Sequence, residues 1–260
     1  MRRILTSALL LSMCCAASPT SAQDGPEQPD PPAPQGEQEQ PADAPPAATP
    51  GPRSDAEALA GVKYFPLQQG RRWTYRVAFK IQPASEGEGS PTESDEGEHR
   101  LDVYVADPVT IDDKLAAALE WKLDQDLAQR SYFRVEGDYL RCVKRLQGFS
   151  EHVKEFTLSP AQPVVPVEPK TGQAWTWEGK AGPGPGKQSF KILREEQLET
   201  PAGIFKAIVI EASFDGEDDS RGTTTRWLAP GVGIVKEVSE VRTAVQVFRT
   251  EGVLVRYEVP

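Results

Sequence analysis

Arg72-Trp73-Thr74-Tyr75-Arg76-Val77-Ala78-Phe79-Lys80-Ile81 decides the fold. Trp73, Tyr75, Val77, Phe79 and Ile81 share one parity, and Arg72, Thr74, Arg76 and Lys80 share the other. Successive side chains of an extended chain point to opposite faces, so this stretch has a dry face and a wet face. Aromatic and β-branched residues at period two mark a half-buried antiparallel strand. Leu101, Val103 and Val105 repeat the pattern against Arg100, Asp102 and Tyr104, and Val253, Val255, Tyr257 and Val259 repeat it near the C-terminus.

The punctuation between such runs agrees. Gly137-Asp138 suits a two-residue hairpin loop. Thr200-Pro201-Ala202-Gly203 suits a type I turn, and Ala229-Pro230-Gly231-Val232 a type II turn with proline second and glycine third. Glu251-Gly252 reads as a further reversal. Asp112 to Leu127 carries a leucine every fourth residue but also alternates, and Trp121 fits only the alternation, so a strand over 116–124 is expected. One short helix is expected at Ser54–Ala60, where Ser54 precedes Glu57 by three residues in a capping pattern. The expected fold is all-β and mainly antiparallel: a curved sheet, half-barrel or open barrel with little helix.

Outward from this core the composition changes. Pro83–Glu98 is acidic without a base and reads as a long flexible hairpin loop; Asp215–Asp219 reads as an acidic hairpin tip. Gln23–Pro52 lacks every large apolar residue and is rich in proline, so it has nothing to bury and is expected to be a disordered, extended linker reaching to residue 55. Before it, Arg2 and Arg3 precede the apolar stretch Ile4–Ala17 and the small residues Ser18–Ala22, the layout of a signal peptide cut between Ala22 and Gln23. Cys14 and Cys15 would be lipid-acceptor candidates, but Met13 stands where a small residue is required, which disfavours lipidation. The expected organisation is therefore a signal peptide (1–22), a linker (23–55) and one antiparallel β domain (56–260).

The chain's 260 residues carry a net charge of -10, which disfavours a nucleic-acid partner. No apolar run reaches the roughly 18 residues of a membrane span. With the signal removed, Cys142 is the one remaining cysteine, so no internal disulfide is expected; it lies in an apparent strand and reads as a small buried hydrophobe.

No catalytic, cofactor or metal pattern emerges. Gly182–Lys187 lacks the spacing and amide donors of a phosphate loop. Gly148-Phe149-Ser150-Glu151-His152 is an incomplete nucleophile elbow. His99 and His152 have no metal-ligand spacing, and His99 shares the inward parity of Leu101. The candidate ligand-binding residues are aromatic: Trp73, Tyr75, Trp175, Trp177 and Trp227 could form a platform for an apolar ligand, or simply fill the core. Gly70-Arg71-Arg72-Trp73-Thr74-Tyr75 is echoed by Gly172-Gln173-Ala174-Trp175-Thr176-Trp177, a hint of duplication.

Three segments together carry a resemblance: Tyr64-Phe65-Pro66-Leu67 with Gly70, Trp73 and Tyr75; Thr200-Pro201-Ala202-Gly203 with Phe205; and Trp227 with Ala229-Pro230-Gly231-Val232-Gly233, Val235 and Lys236. Over about residues 64–240 the chain resembles a broad group of bacterial exported proteins whose fold is similar to LolA/LolB-like lipoprotein-carrier half-barrels. That resemblance implies a β shelter for acyl chains but transfers no ligand residue, and the long lid helix of the carriers has no counterpart. The expected function is a non-catalytic module of the periplasm or cell surface that binds a lipid, another apolar ligand or an envelope protein. The alternatives are a structural surface module without a ligand and a hydrolase using a carboxylate pair.

Overall fold

The computed structural model describes residues 54–84, 94–148, 153–181, 185–216 and 220–260. The signal segment with Cys14, Cys15, Ala22 and Gln23, the linker up to Arg53, most of the acidic loop, the 182–184 and 217–219 segments, and Ser150 and His152 lie outside the described residues.

The chain order is α1 (Asp55–Ala60), β1 (Arg72–Pro83), β2 (Asp95–Val105), β3 (Val109–Ile111), β4 (Lys114–Leu123), β5 (Asp126–Glu136), β6 (Tyr139–Gln147), β7 (Lys154–Pro166), β8 (Ala174–Ala181), β9 (Pro185–Thr200), β10 (Gly203–Asp215), β11 (Arg221–Ala229), β12 (Gly233–Arg242) and β13 (Gln246–Glu258). Around the wall the order is β2-β1-β13-β12-β11-β10-β9-β8-β7-β6-β5-β4, with every neighbour antiparallel. β2 also pairs with β4, from Leu101–Leu123 to Val105–Leu119, and this closes a twelve-stranded barrel. Closure removes the two free edges that an open sheet would present. β3 is an extra strand on β4.

The alternation of β1 is realised: Trp73, Tyr75, Val77 and Ile81 are buried in the barrel, while Arg72, Arg76 and Lys80 face out. An outer face of this kind suits water and not hydrocarbon, since a lipid-facing barrel needs an apolar outer band. No helix among the described residues is long and apolar enough to cross a membrane. The stretch of mixed periodicity is the strand β4, with Leu119, Trp121 and Leu123 buried. α1 has its capping box: Glu57 N donates to Ser54 Oγ (3.3 Å), and Ser54 N donates to Glu57 Oε2 (2.9 Å). Gly137 and Gly231 take positive φ (58° and 76°) in the β5–β6 and β11–β12 turns, as those turns require.

Three expectations are corrected. Asp95, Glu96 and Glu98 belong to β2, paired with Ile81, Lys80 and Ala78. The hairpin runs further than its charge suggested, because solvent-exposed acids on a protruding ribbon need no burial to pair their backbones. Glu251-Gly252 is not a reversal: Gly252 lies between Val77 and Glu237 in the middle of β13. And Val253, Val255, Tyr257 and Val259 do not form one buried face. Between Thr74 and Tyr75 the register of β1 on β13 slips, placing Leu254 opposite Tyr75 and leaving Val255 as the extra residue. A bulge of this kind inverts parity, so Leu254 is fully buried while Val255 and Val259 are exposed.

Candidate functional site

One end of the barrel is closed by the segment that precedes β1. α1 rests on β4 and β5, where Asp55 accepts from Leu115 N (3.0 Å). The chain then crosses the mouth: Lys63 O accepts from Gly231 N (2.7 Å), and Leu59, Val62, Phe65 and Leu67 are buried, with the Phe65 ring 5.4 Å from that of Phe133. Beneath Phe65 and Pro66 lies a small apolar cavity of about 30 Å³, lined also by Trp73, Tyr75, Val103, Leu119, Trp121, Gly233 and Ile234. That volume takes one or two water-sized groups and no more.

The five aromatic candidates are not one surface. Trp73 and Tyr75 line this cavity; Trp175 and Trp177 sit on the wall formed by β7 and β8; Trp227 lies in β11, where its neighbours Arg226 and Leu228 are buried and it is half-exposed. Each carries a polar tip, and each tip is taken. Trp73 Nε1 donates to Val232 O (2.7 Å) and Tyr75 Oη to Ile234 O (2.8 Å). These carbonyls lie just before and at the start of β12, which β13 does not pair until Lys236 meets Val253. Trp177 Nε1 donates to Pro160 O (2.9 Å), and Trp175 Nε1 to Pro163 O (3.4 Å). Among the described residues β7 meets β8 in register only at Leu158–Ala181 and Ser159–Lys180, so these carbonyls too lie where the ladder stops. Buried carbonyls without a partner are costly, and the aromatic N–H and O–H groups satisfy them. Trp175 also stacks on Phe190 at 5.2 Å. Burial first, and then the negative charge of Glu237, push the Tyr75 hydroxyl far above the usual phenol range, so it stays a donor.

Trp227 is held differently. Its indole N–H donates to Glu196, and Lys236 Nζ stands 5.5 Å from its ring centre. The Trp227 hydrogen bond first, and then that of Arg194, hold the Glu196 carboxyl below the ordinary glutamate value.

Beside this apolar core the interior holds polar side chains, many of them bonded to one another. Arg226 and Glu237 form a buried ion pair (2.5 Å), beside Thr224 bonded to Ser239 (3.0 Å). Across other strands Gln162 Nε2 donates to Gln188 Oε1 (2.5 Å), and Arg145 reaches Gln162 (3.4 Å). The second buried carboxylate, Glu120, is bonded to Arg130. Cys142 is buried, as its setting in β6 led one to expect, and His99 is half-buried: it stacks on Phe79 (5.2 Å) and bonds Asp124 (2.6 Å). Among the described residues no three His, Cys, Asp or Glu side chains form a group that could hold a metal. Phe65 and Pro66 stood out in the sequence only as part of the first segment that carries the resemblance; their place over Trp73 depends on how the preceding segment crosses the barrel mouth.

No family model matches the chain, and no curated protein matches it. Three solved structures are similar. One, from Bacteroides fragilis, is described as an exported protein with a YmcC-like fold; it is 15% identical, covers 76% of this chain and 100% of its own, and has a TM-score of 0.35. A second, described as a lipoprotein of Parabacteroides distasonis, is 13% identical over 76% of this chain and 99% of its own, with a TM-score of 0.32. The third is the hypothetical lipoprotein YmcC of Escherichia coli, 11% identical over 78% of this chain and 90% of its own, with a TM-score of 0.31. At such scores the likeness decides neither fold nor function for this chain.

Proposed function

We propose that the chain is an exported, tethered and non-catalytic β-barrel module of a bacterial envelope, working through its outer wall by contact with a protein partner. The observation that supports this reading best is the occupied interior. The cavity at the closed end measures about 30 Å³, and the polar tips of Trp73 and Tyr75 that line it are bonded to the protein's own carbonyls. A carrier needs an interior that an acyl chain can enter. The signal-like start and the acidic proline-rich linker support export and tethering. Cleavage at Ala22–Gln23, with Cys14 and Cys15 removed, is the reading we adopt for the N-terminus, and mass analysis of the mature protein tests it: a lipid-modified cysteine would overturn it.

Native mass spectrometry after gentle extraction tests the role. The expected species is the polypeptide, alone or with a protein subunit; a lipid-sized adduct in every preparation would overturn the reading and favour a carrier. That second reading rests on the apolar lining of the cavity, which could admit a larger apolar ligand only if Phe65 and Pro66 moved aside. In that case Phe65→Ala would raise the binding of an apolar fluorescent probe without lowering the thermal midpoint further than the lost ring accounts for.

A further inference from the structure

Among the described residues three arginine pairs face each other directly across neighbouring strands: Arg76–Arg100, Arg134–Arg141 and Arg221–Arg242. Like charges so placed repel one another. Two of the pairs are relieved by bonded carboxylates. Glu98 stands 3.5 Å from Arg76 and Asp102 2.8 Å from Arg100, and Glu136 serves both Arg134 (2.5 Å) and Arg141 (3.8 Å). The third pair, Arg221 of β11 and Arg242 of β12, has no bonded carboxylate among the described residues, and both side chains are exposed. Asp215 of β10 stands opposite Arg221 without bonding it, and Arg242 has Val247 on its other side.

Arg242 also lines an open pocket of about 490 Å³, together with Gln82, Glu240, Val247 and Arg249. The backbone around it is tied down: Ala84 N donates to Val245 O (3.0 Å), and Thr243 N donates to Gln246 O (2.9 Å) in the turn that follows Arg242. Glu240, the carboxylate of this lining, is taken by Arg249 (2.7 Å), which also faces Lys80 of β1. The pocket therefore carries surplus positive charge in a chain whose net charge is -10. Its volume suits a small polar ligand.

We infer that Arg221 and Arg242 bind the phosphate group of a phosphomonoester at the edge of this pocket. A dianionic phosphate answers two guanidinium forks at once, whereas a single carboxylate occupies one. Its charge offsets the repulsion that the fold leaves standing between the two arginines. The pocket beside Arg242 then receives whatever the phosphate is attached to, a lipid headgroup or a soluble ester. The site stands apart from the protein contact proposed above and does not depend on it.

NMR of the arginine Nε–H groups in the mature protein, titrated with inorganic phosphate at neutral pH, is the test. Saturable shifts are expected at Arg221 and Arg242, and sodium chloride at equal ionic strength should not reproduce them. Arg242→Gln should weaken phosphate binding at least about tenfold, the loss of one charge-assisted contact. Glu240→Gln should tighten it, because it removes a carboxylate from the pocket and frees Arg249. Arg76→Gln, in a pair that has its own carboxylates, should leave it unchanged. Without phosphate, Arg242→Gln should keep or raise the thermal midpoint, since it relieves a repulsion; a lowered midpoint would mark the arginine as structural and count against the site. Glycerol phosphate and phosphatidylcholine vesicles containing phosphatidate distinguish the carriers: cosedimentation with the vesicles assigns a lipid headgroup, and binding of glycerol phosphate alone a soluble ester. No saturable shift, or binding indifferent to Arg242→Gln, would overturn the inference.

Discussion

Two strand starts in this barrel are built alike and placed in unlike surroundings. Gly70 and Gly172 both adopt positive φ, 86° and 85°. The residue after each donates back across a tight turn, Arg71 N to Gln68 O (3.2 Å) and Gln173 N to Lys170 O (3.0 Å). Each glycine donates to the strand alongside, Gly70 N to Val105 O (3.0 Å) and Gly172 N to Ile192 O (2.8 Å), and that partner donates back, to Arg71 O and Gln173 O. Two buried aromatics follow, Trp73 and Tyr75 in β1 and Trp175 and Trp177 in β8. Each start opens a run of six strands around the barrel, β1 to β7 with β3 set outside, and β8 to β13. The echo in the sequence is thus an echo in structure.

The surroundings differ on one side. β1 is paired along its length by both β2 and β13. β8 is paired by β9, but on its other side β7 brings Pro160, Pro163 and Pro166, which have no N–H to give. Where the ladder fails, the indoles of Trp175 and Trp177 supply the missing donors. The same local sequence therefore does two jobs: in β1, whose own ladder is complete, its aromatics bond carbonyls around the start of β12 that β13 leaves unpaired, and in β8 they stand in for β8's own missing neighbour.

Substitutions can break this comparison. The largest effect is expected from Trp177→Ala, which removes a buried ring and a seam donor together and should cost about 3–5 kcal/mol in denaturant unfolding. Tyr75→Ala should cost less, because β1 keeps both neighbours. Next come Trp177→Phe and Tyr75→Phe, each leaving one part-buried carbonyl without its donor at about 1–3 kcal/mol. Trp177→Phe also removes part of a buried ring, so it should cost the more of the two, and it alone should increase local opening at β8. Gly70→Ala and Gly172→Ala should each cost about 1–2 kcal/mol, since both demand a left-handed residue. Closely matched costs would support the equivalence of the two starts, and a cost at one alone would refute it.

The smallest effect concerns pH and a carboxyl of the second run of strands. The Glu196 carboxyl is held low by Trp227 and Arg194, so it binds its proton more readily in the unfolded chain. Its contribution is present above the unfolded glutamate value and is lost as pH falls through the lower folded value. Glu196→Gln should flatten the acid limb of a stability-against-pH curve slightly; an unchanged limb would contradict the assignment.

Much of the architecture was readable because it is local. The parity of Arg72–Ile81, the decisive Trp121 in β4, the capping pair Ser54 and Glu57 and the turns at Gly137 and Gly231 all depend on residues close in the chain. The features that escaped are long-range. Closure through β2 and β4 joins segments that carry no mark of each other. The parity of β13 was misread because a bulge is set by its partner β1, not by its own residues. Gly252 looked like a turn, since a glycine reads the same whether it reverses a chain or thins a strand between neighbours. The aromatic candidates were found, but their dispersal among a cavity, a seam and the outer wall depends on strand order, which alternation does not encode.

Amide hydrogen exchange across β8 is the most direct test of the claim that the aromatics are structural donors. In Trp177→Phe the amides of Ala174–Lys180 should exchange markedly faster than in the native protein, while in Tyr75→Phe those of Trp73–Ile81 keep their protection. Unchanged exchange in β8 after loss of the indole N–H would contradict the account.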